Sequence, residues 1–472
     1  MKKKIIIMLL IIMFFVTGCG KKNGNLVLVT EAGFAPYEYY SNGEIVGVDI
    51  DIAKKIAEYL DKELIIKDVA FDSIISEVKT EKSDIGAAGI SFTEERQREV
   101  DFTISYSDSK QVVVVNTISG YRDISEIHKV AVQLGSVADT YLTENYPNID
   151  IIREKKFLAA IQDLKDSKVE AVVMDELPAT KLMTKEMEML EEPLVVDSYG
   201  MIVRKGNKEL LDACNKVIKE LKESGEIDKY LLKHMGVEEK TNKGNGIKER
   251  FYNSVIYDGR YKYILEGLKN TIIIALGAVI IGILLGAISA ITRNIHENTG
   301  KLKIMSAISK GYVDLIRGTP STLQLMIIYY VIFKQTNINI VLVGIMAFGI
   351  NSGAYVSEII RAGISSIDKG QWEAGYALGL SYFPIMNKII LPQAIKNILP
   401  ALGNEFITLV KETSIGAYIG IVELTKASDI IASRTYDYFF PLALIAIIYL
   451  IITVALSKLI SAMEKRLNNA RS

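Results

Sequence analysis

Glu373–Pro392 reads EAGYALGLSYFPIMNKIILP. The string predicts a short helix, a glycine break, a polar bend and a proline-led return into a hydrophobic segment. Gly379 lacks a Cβ, so it can end a helix in the left-handed region or admit a close backbone. Pro392 suits the first turn of a new helix, where no N–H is needed. Glu373, on a short exposed helix, offers one charge to a partner. Apolar segments lie on both sides, so the string is a loop at a membrane face.

Its spacing resembles the EAA loop of ABC-importer permeases: EAA, three residues, Gly, nine residues, Ile-x-Leu-Pro. Every fixed position matches except the third, where Gly375 stands for Ala. Arg361-Ala362-Gly363 and Gly370-Gln371 flank the loop. The resemblance implies that Glu373, Ala374, Gly375 and Gly379 form a coupling helix that docks in a groove of an ATPase subunit. It also implies an all-α transmembrane permease domain of the type I importer class.

Five apolar spans surround the loop: Ile272–Ile291, about Thr319–Phe333, Ile338–Ile359, about Ala394–Val410, and Phe439–Leu456. The first is long enough to cross a bilayer and carries no charge. Lys and Arg concentrate in Arg293–Lys310, in Arg361–Lys396 and in the tail, which puts those segments in the cytoplasm. The N-terminal half is then outside. Arg317-Gly318-Thr319-Pro320 and Ala354-Tyr355-x-x-Glu358 further resemble polar-amino-acid permeases. Glu358 lies within the third span. An intramembrane acid faces a pathway or partner, or snorkels at the cytoplasmic end, and the sequence leaves both open.

Composition agrees with a split chain. The 472 residues carry 55 Lys+Arg against 56 Asp+Glu, a net charge of −1 that argues against general nucleic-acid binding. Two cysteines, Cys19 and Cys214, exclude a disulfide framework if Cys19 is modified. Three scattered histidines show no metal-ligand spacing. No G-x-x-x-x-G-K-[ST] is present, so no cofactor is expected here, and ATP and Mg would belong to the partner ATPase.

Lys2–Lys4 and the apolar run Ile5–Val16 form a basic and a hydrophobic region. Twelve residues span roughly 18 Å as a helix, short of the ~30 Å hydrocarbon core. Val16-Thr17-Gly18-Cys19 resembles a lipobox, which implies cleavage before Cys19 and its lipidation. The expected order is leader 1–18, lipidated tether 19–24, binding domain 25–237, linker 238–250 and permease 251–472. Ile247–Gly267 is expected to lie along the membrane surface as an amphipathic helix.

Between the tether and the linker, strands alternate with amphipathic helices, as parallel α/β sheets do. Two extended stretches, Lys110–Asn116 and Leu194–Arg204, would cross between two lobes and leave a cleft beside the hinge. The motifs Glu31-x-x-Phe34-x-Pro36-Tyr37-Glu38, Gly47-x-Asp49, Phe71-Asp72-Ser73, Ala88-Gly89-Ile90-Ser91-x-Thr93-x-x-Arg96 and Val173-Met174-Asp175 resemble type II periplasmic solute-binding proteins for polar amino acids. A zwitterion needs a cation for its carboxylate, and an arginine fork matches that group better than lysine. The resemblance gives this task to Arg96, with Ser91 donating to the same carboxylate and Gly89 admitting backbone groups. It gives the ammonium to Asp175, the walls to Phe34 and Phe71, a second carboxylate contact to Ser136, and the side-chain end to Glu31. Other roles stay open: Ser91 as a helix capping box with Glu94, and Asp175 as an N-cap.

These readings converge on a fused binding protein and permease of an amino-acid ABC importer. The expected partners are a polar L-amino acid, two ATPase copies, a second copy of this chain and the membrane. The chain is not expected to be an enzyme. A ligand-gated channel would need a filter such as TVGYG, which is absent, and a sensor would need a signalling segment after the last span.

Overall fold

The computed structural model describes residues 24–41, 43–235, 246–333, 338–435, 437 and 439–469. The expected leader, Cys19 and the linker up to residue 245 lie outside the described residues.

Two sheets build the N-terminal half. The first orders Glu63–Asp68, Asn25–Thr30, Ile85–Gly86, Ile202–Arg204 and Val100–Phe102. The second orders Met187–Met189, Ser107–Asn116, Ala171–Asp175, Lys129–Gln133 and Asp150–Glu154, with Val195–Tyr199 also on Ser107–Asn116. Buried Leu26 and Leu28 pack on Ile52 and Ile56 of the helix Val48–Tyr59, and Val29, on the other face of the strand, packs on Ile74 and Val78 of the helix Ile74–Lys79.

The all-parallel expectation holds only in the lobe interiors. Asn25–Thr30 is parallel to Glu63–Asp68 and Ile85–Gly86, and Lys129–Gln133 is parallel to both its neighbours. Ile202–Arg204 and Ser107–Asn116 run antiparallel to theirs. The reason is the hinge. The chain leaves the first lobe through Val100–Phe102 and returns through Val195–Tyr199, in opposite directions. The two crossings bind each other: Thr103 N–H donates to Met201 O at 2.9 Å, and Tyr106 N–H to Tyr199 O at 3.0 Å.

The membrane half holds helices α1 (Tyr261–Thr299), α2 (Lys303–Arg317), α3 (Ser321–Ile327), α4 (Ile340–Ser365), α5 (Lys369–Ala377), α6 (Leu391–Glu412), α7 (Leu424–Thr435) and α8 (Phe439–Asn469). Glycines let α1 and α4 meet closely: a Cβ on Gly286 would lie 2.6 Å from Val356 Cγ1. Among the described residues, three of the five expected spans are long and apolar enough to cross a membrane, in α1, α4 and α8. Ser321–Ile332 is apolar but shorter, because Pro320 separates it from α2. The weak fourth span is α6, amphipathic over its 22 residues.

One local expectation is corrected. Ile247–Gly267 is not one surface helix: it breaks at Tyr257–Gly259, where Gly259 takes φ +65°, and Tyr261 already opens α1. Pro392 stands in the first turn of α6, as expected. A short helix, Tyr382–Ile385, and a wide turn, Met386–Ile390, lead into it. Gly379 does end α5 in the left-handed region, at φ +75°. Leu380 N–H bonds Gly375 O at 3.1 Å and Gly379 N–H bonds Tyr376 O at 2.9 Å, a Schellman cap. A Cβ at Gly375 would meet Ile385 Cγ1 at 2.7 Å, which is why this chain lacks the alanine usual there.

The two halves are in contact. The binding domain rests where α1 and α4 begin and α6 ends. Lys82 Nζ donates to Phe333 O at 2.9 Å, Tyr40 packs on Tyr263, and Lys426 pairs with Asp68 at 2.8 Å. Chain direction puts α5 at the opposite ends of these helices.

Candidate functional site: a closed cleft between the lobes

All eight residues expected around the ligand line one cavity: Glu31, Phe34, Phe71, Gly89, Ser91, Arg96, Ser136 and Asp175. Its empty volume is about 320 Å³, solvent at the mouth included. The first lobe supplies Glu31 through Arg96, and the second supplies Ser136 and Asp175.

Arg96 is 9% exposed, so it is not a surface residue of its acidic helix. Its Nη1 donates to Ser91 O and its Nη2 to Gly135 O, both at 2.9 Å. The second bond crosses between lobes. The guanidinium lies 5.5 Å from the Phe71 ring centre. Burial lowers its pKa, and Asp175 and Asp197 raise it again in part. Ser91 is buried and does not cap the helix Glu94–Glu99. Thr93 does, its Oγ1 accepting from Arg96 N–H at 3.2 Å, while the Ser91 hydroxyl hydrogen-bonds the Asp197 carboxylate.

Asp175 precedes the helix Glu176–Leu182, but its carboxylate does not cap that helix. Oδ1 accepts from Ser109 Oγ at 2.9 Å, Gln111 Nε2 at 2.7 Å and Tyr199 OH. Burial and then the Asp197 charge push its pKa up to about 6, against the pull of these donors. An incoming ammonium would reverse that shift. Ser136 caps the helix Val137–Asn145 by accepting from Asp139 N–H at 3.2 Å, and its own hydroxyl proton stays free to donate. Gly89 takes φ +52°, and a Cβ there would lie 2.4 Å from Phe34 Cε1. Only glycine seats that aromatic wall.

Several residues escaped the sequence reading. Phe157 stacks on Phe34 from the other lobe, with ring centres 5.7 Å apart. Gln111 lines the cavity from Ser107–Asn116, a strand of the second sheet where a crossing between lobes was expected, and Gln133 from the end of Lys129–Gln133. Lys156 pairs with Glu31 at 3.5 Å. Each comes from the second lobe and meets the first only on closure, so no local spacing signals it.

At the opposite end, Glu373, Ala374 and Gly379 are exposed and Gly375 is buried. Tyr376, Leu378 and Phe383 add an exposed apolar face, with Leu378 at 78%. Trp372 stacks on Tyr382, whose hydroxyl donates to Asn294 of α1. Glu358 is held by Arg293 at 2.6 Å and Arg361 at 2.8 Å, with Arg317 at 4.0 Å.

Residues 26–237 match the bacterial extracellular solute-binding proteins of family 3, and residues 278–469 match the binding-protein-dependent transport system inner membrane component. A putative glutamine transport system permease protein of Rickettsia prowazekii is 39% identical over 213 residues, 45% of this chain and 95% of that protein. The chain belongs to the ABC importer permeases, with a solute-binding domain fused ahead. The Bacillus subtilis arginine transport system permease protein ArtQ is also 39% identical to this permease, over 44% of the chain and 93% of its own length. On the binding side, an amino acid ABC transporter substrate-binding protein of Streptococcus pneumoniae bound to L-arginine is 32% identical. It covers 45% of this chain and 94% of its own, with a TM-score of 0.43. The permease half is apolar and helical, which makes this an integral membrane protein.

Proposed function

We propose that this chain captures a polar L-amino acid outside the plasma membrane of a bacterium and passes it through its own permease half. The observation that carries the reading is one buried cavity with Arg96 on one lobe and Asp175 on the other. A carboxylate on the arginine fork and an ammonium on the aspartate would together hold the lobes shut. Ser91 and Ser136 add hydroxyl donors to the carboxylate, Phe34 and Phe71 wall the side chain, and Glu31 meets its far end. The relatives named for glutamine and arginine support this substrate class.

Energy comes from a separate ATPase, two copies of which bind ATP and Mg and grip α5. The exposed Glu373 and its apolar neighbours support that contact. Two copies of this chain pair through the permease half to build one path. The binding domain and Cys19 lie outside, and α5 and the C-terminus lie in the cytoplasm. Of the two readings of Glu358, its three arginine neighbours favour a latch at the cytoplasmic end over a lining of the path.

The test is calorimetry of the full chain in lipid nanodiscs against the twenty amino acids, then uptake in liposomes with the ATPase added. Binding without ATP-driven uptake would leave a sensor. Absence of binding by every amino acid would end the reading.

A further inference from the structure

The binding domain is tied to the membrane domain by a buried ion pair. Lys426 Nζ of α7 lies 2.8 Å from Asp68 Oδ2, with the side chains 4% and 6% exposed. Asp68 has further donors: Ala32 N–H on Oδ1 and Tyr40 OH on Oδ2, both at 3.0 Å. Ala32 follows Glu31, so this bond anchors the main chain from which Glu31 reaches the cleft. Burial works to raise the Asp68 pKa, but Lys426 and then Lys156 outweigh it and hold the carboxyl below its usual range.

The second lobe touches the same face. Lys156 Nζ is 3.5 Å from Glu31 Oε1, across the cleft. Burial opposes its charge, yet Glu31, Asp429 and Asp68 outweigh burial and keep the ammonium protonated. Asp429 stands three residues after Lys426, on the same face of α7. Lys155 sits over the Tyr418 ring at 3.5 Å. A Cβ on Gly420, at φ +85°, would lie 2.8 Å from Asp68 O, so the backbones meet.

These contacts form one chain of charge from the membrane domain to the ligand cavity. Without Lys426, the buried carboxylates Asp68 and Glu31 would share Lys156. A buried carboxylate deprived of its cation is costly, so Lys156 would move toward Asp68 and leave Glu31 misplaced. With Lys426 present, Asp68 is satisfied and Lys156 stays on Glu31, in the field of Asp429.

We propose that Lys426 and Asp429 are positioning residues of the ligand cleft: through Asp68 and Lys156 they fix the Glu31 carboxylate. The cleft reaches full affinity only when the binding domain is seated on α7. By reciprocity, a ligand whose side chain donates to Glu31 tightens the seating by the same factor. This inference rests on the amino-acid reading of the cleft.

The experiment is calorimetry of the full chain in nanodiscs without ATPase, with L-glutamine and L-arginine as probes. Lys426→Met should weaken the better probe roughly 5- to 150-fold, the span of typical coupling energies, and Lys426→Arg should restore most of it. In a Glu31→Gln background, Lys426→Met should change affinity by less than about twofold, the tolerance for independent sites. Asp429→Asn leaves no buried charge unpaired, guards against misfolding, and should show a smaller loss that also vanishes beside Glu31→Gln. Wild-type affinity in both single variants would overturn the proposal. So would an equal loss in both backgrounds, since that is general destabilisation. Binding of neither probe by the wild type would instead remove the amino-acid reading, and this inference with it.

Discussion

Arg96→Ala tests the cleft most directly. The guanidinium is 9% exposed and already donates to Ser91 O and Gly135 O at 2.9 Å. In the proposed reading its remaining N–H groups meet the ligand carboxylate. Removing one partner of a desolvated, hydrogen-bonded charge pair costs about 2–5 kcal/mol, a loss of roughly 30- to several-thousandfold in affinity. The bond to Gly135 O also joins the lobes, and a hydrogen bond to a charged group contributes about 1.5–3 kcal/mol. The loss should therefore fall in the upper part of that range. Arg96→Lys keeps a charge but loses the fork, so its loss should be intermediate. Calorimetry of the full chain in nanodiscs, beside a thermal melt to show folding, reads both variants. A folded Arg96→Ala protein that binds within about threefold of wild type would refute the carboxylate assignment, because no such buried pair is lost so cheaply.

Four further outcomes are expected. Asp175 has a pKa of about 6 in the empty cleft, and an ammonium lowers it; affinity is then complete above pH 6 and falls up to tenfold per unit below it, as titrations from pH 8 to 4.5 would read, and a flat profile counts against the ammonium contact. Gly89→Ala should lower both melting temperature and affinity, since its Cβ would meet the Phe34 ring at 2.4 Å from a left-handed backbone. Glu373→Ala should leave amino-acid binding intact while uptake and ATP hydrolysis in liposomes fall together; full transport by Glu373→Ala, Gly379→Leu would mean that α5 does not couple. Mass spectrometry of the mature N-terminal peptide should find Cys19 lipidated and residues 1–18 removed, and an unmodified Cys19 rules that out.

Much of this protein was legible in its sequence because local chemistry leaves periodic marks. Alternating strands with amphipathic helices gave the lobes, and long apolar runs gave α1, α4 and α8. Gly379 marked a left-handed cap, since a helix end of that kind tolerates few other residues. The motifs gathered eight cavity residues because each motif is a short loop held at a strand end. Tertiary structure decided what has no fixed spacing. The strand directions at the hinge followed from the path between lobes. Thr93 rather than Ser91 caps its helix, because the backbone turns there. Phe157, Gln111 and Lys156 join the site by lobe closure across many residues of chain. Lys426 reaches Asp68 across 358 positions of sequence. Local periodicity reports on neighbours along the chain, whereas a buried charge finds its partner through the packing of whole domains.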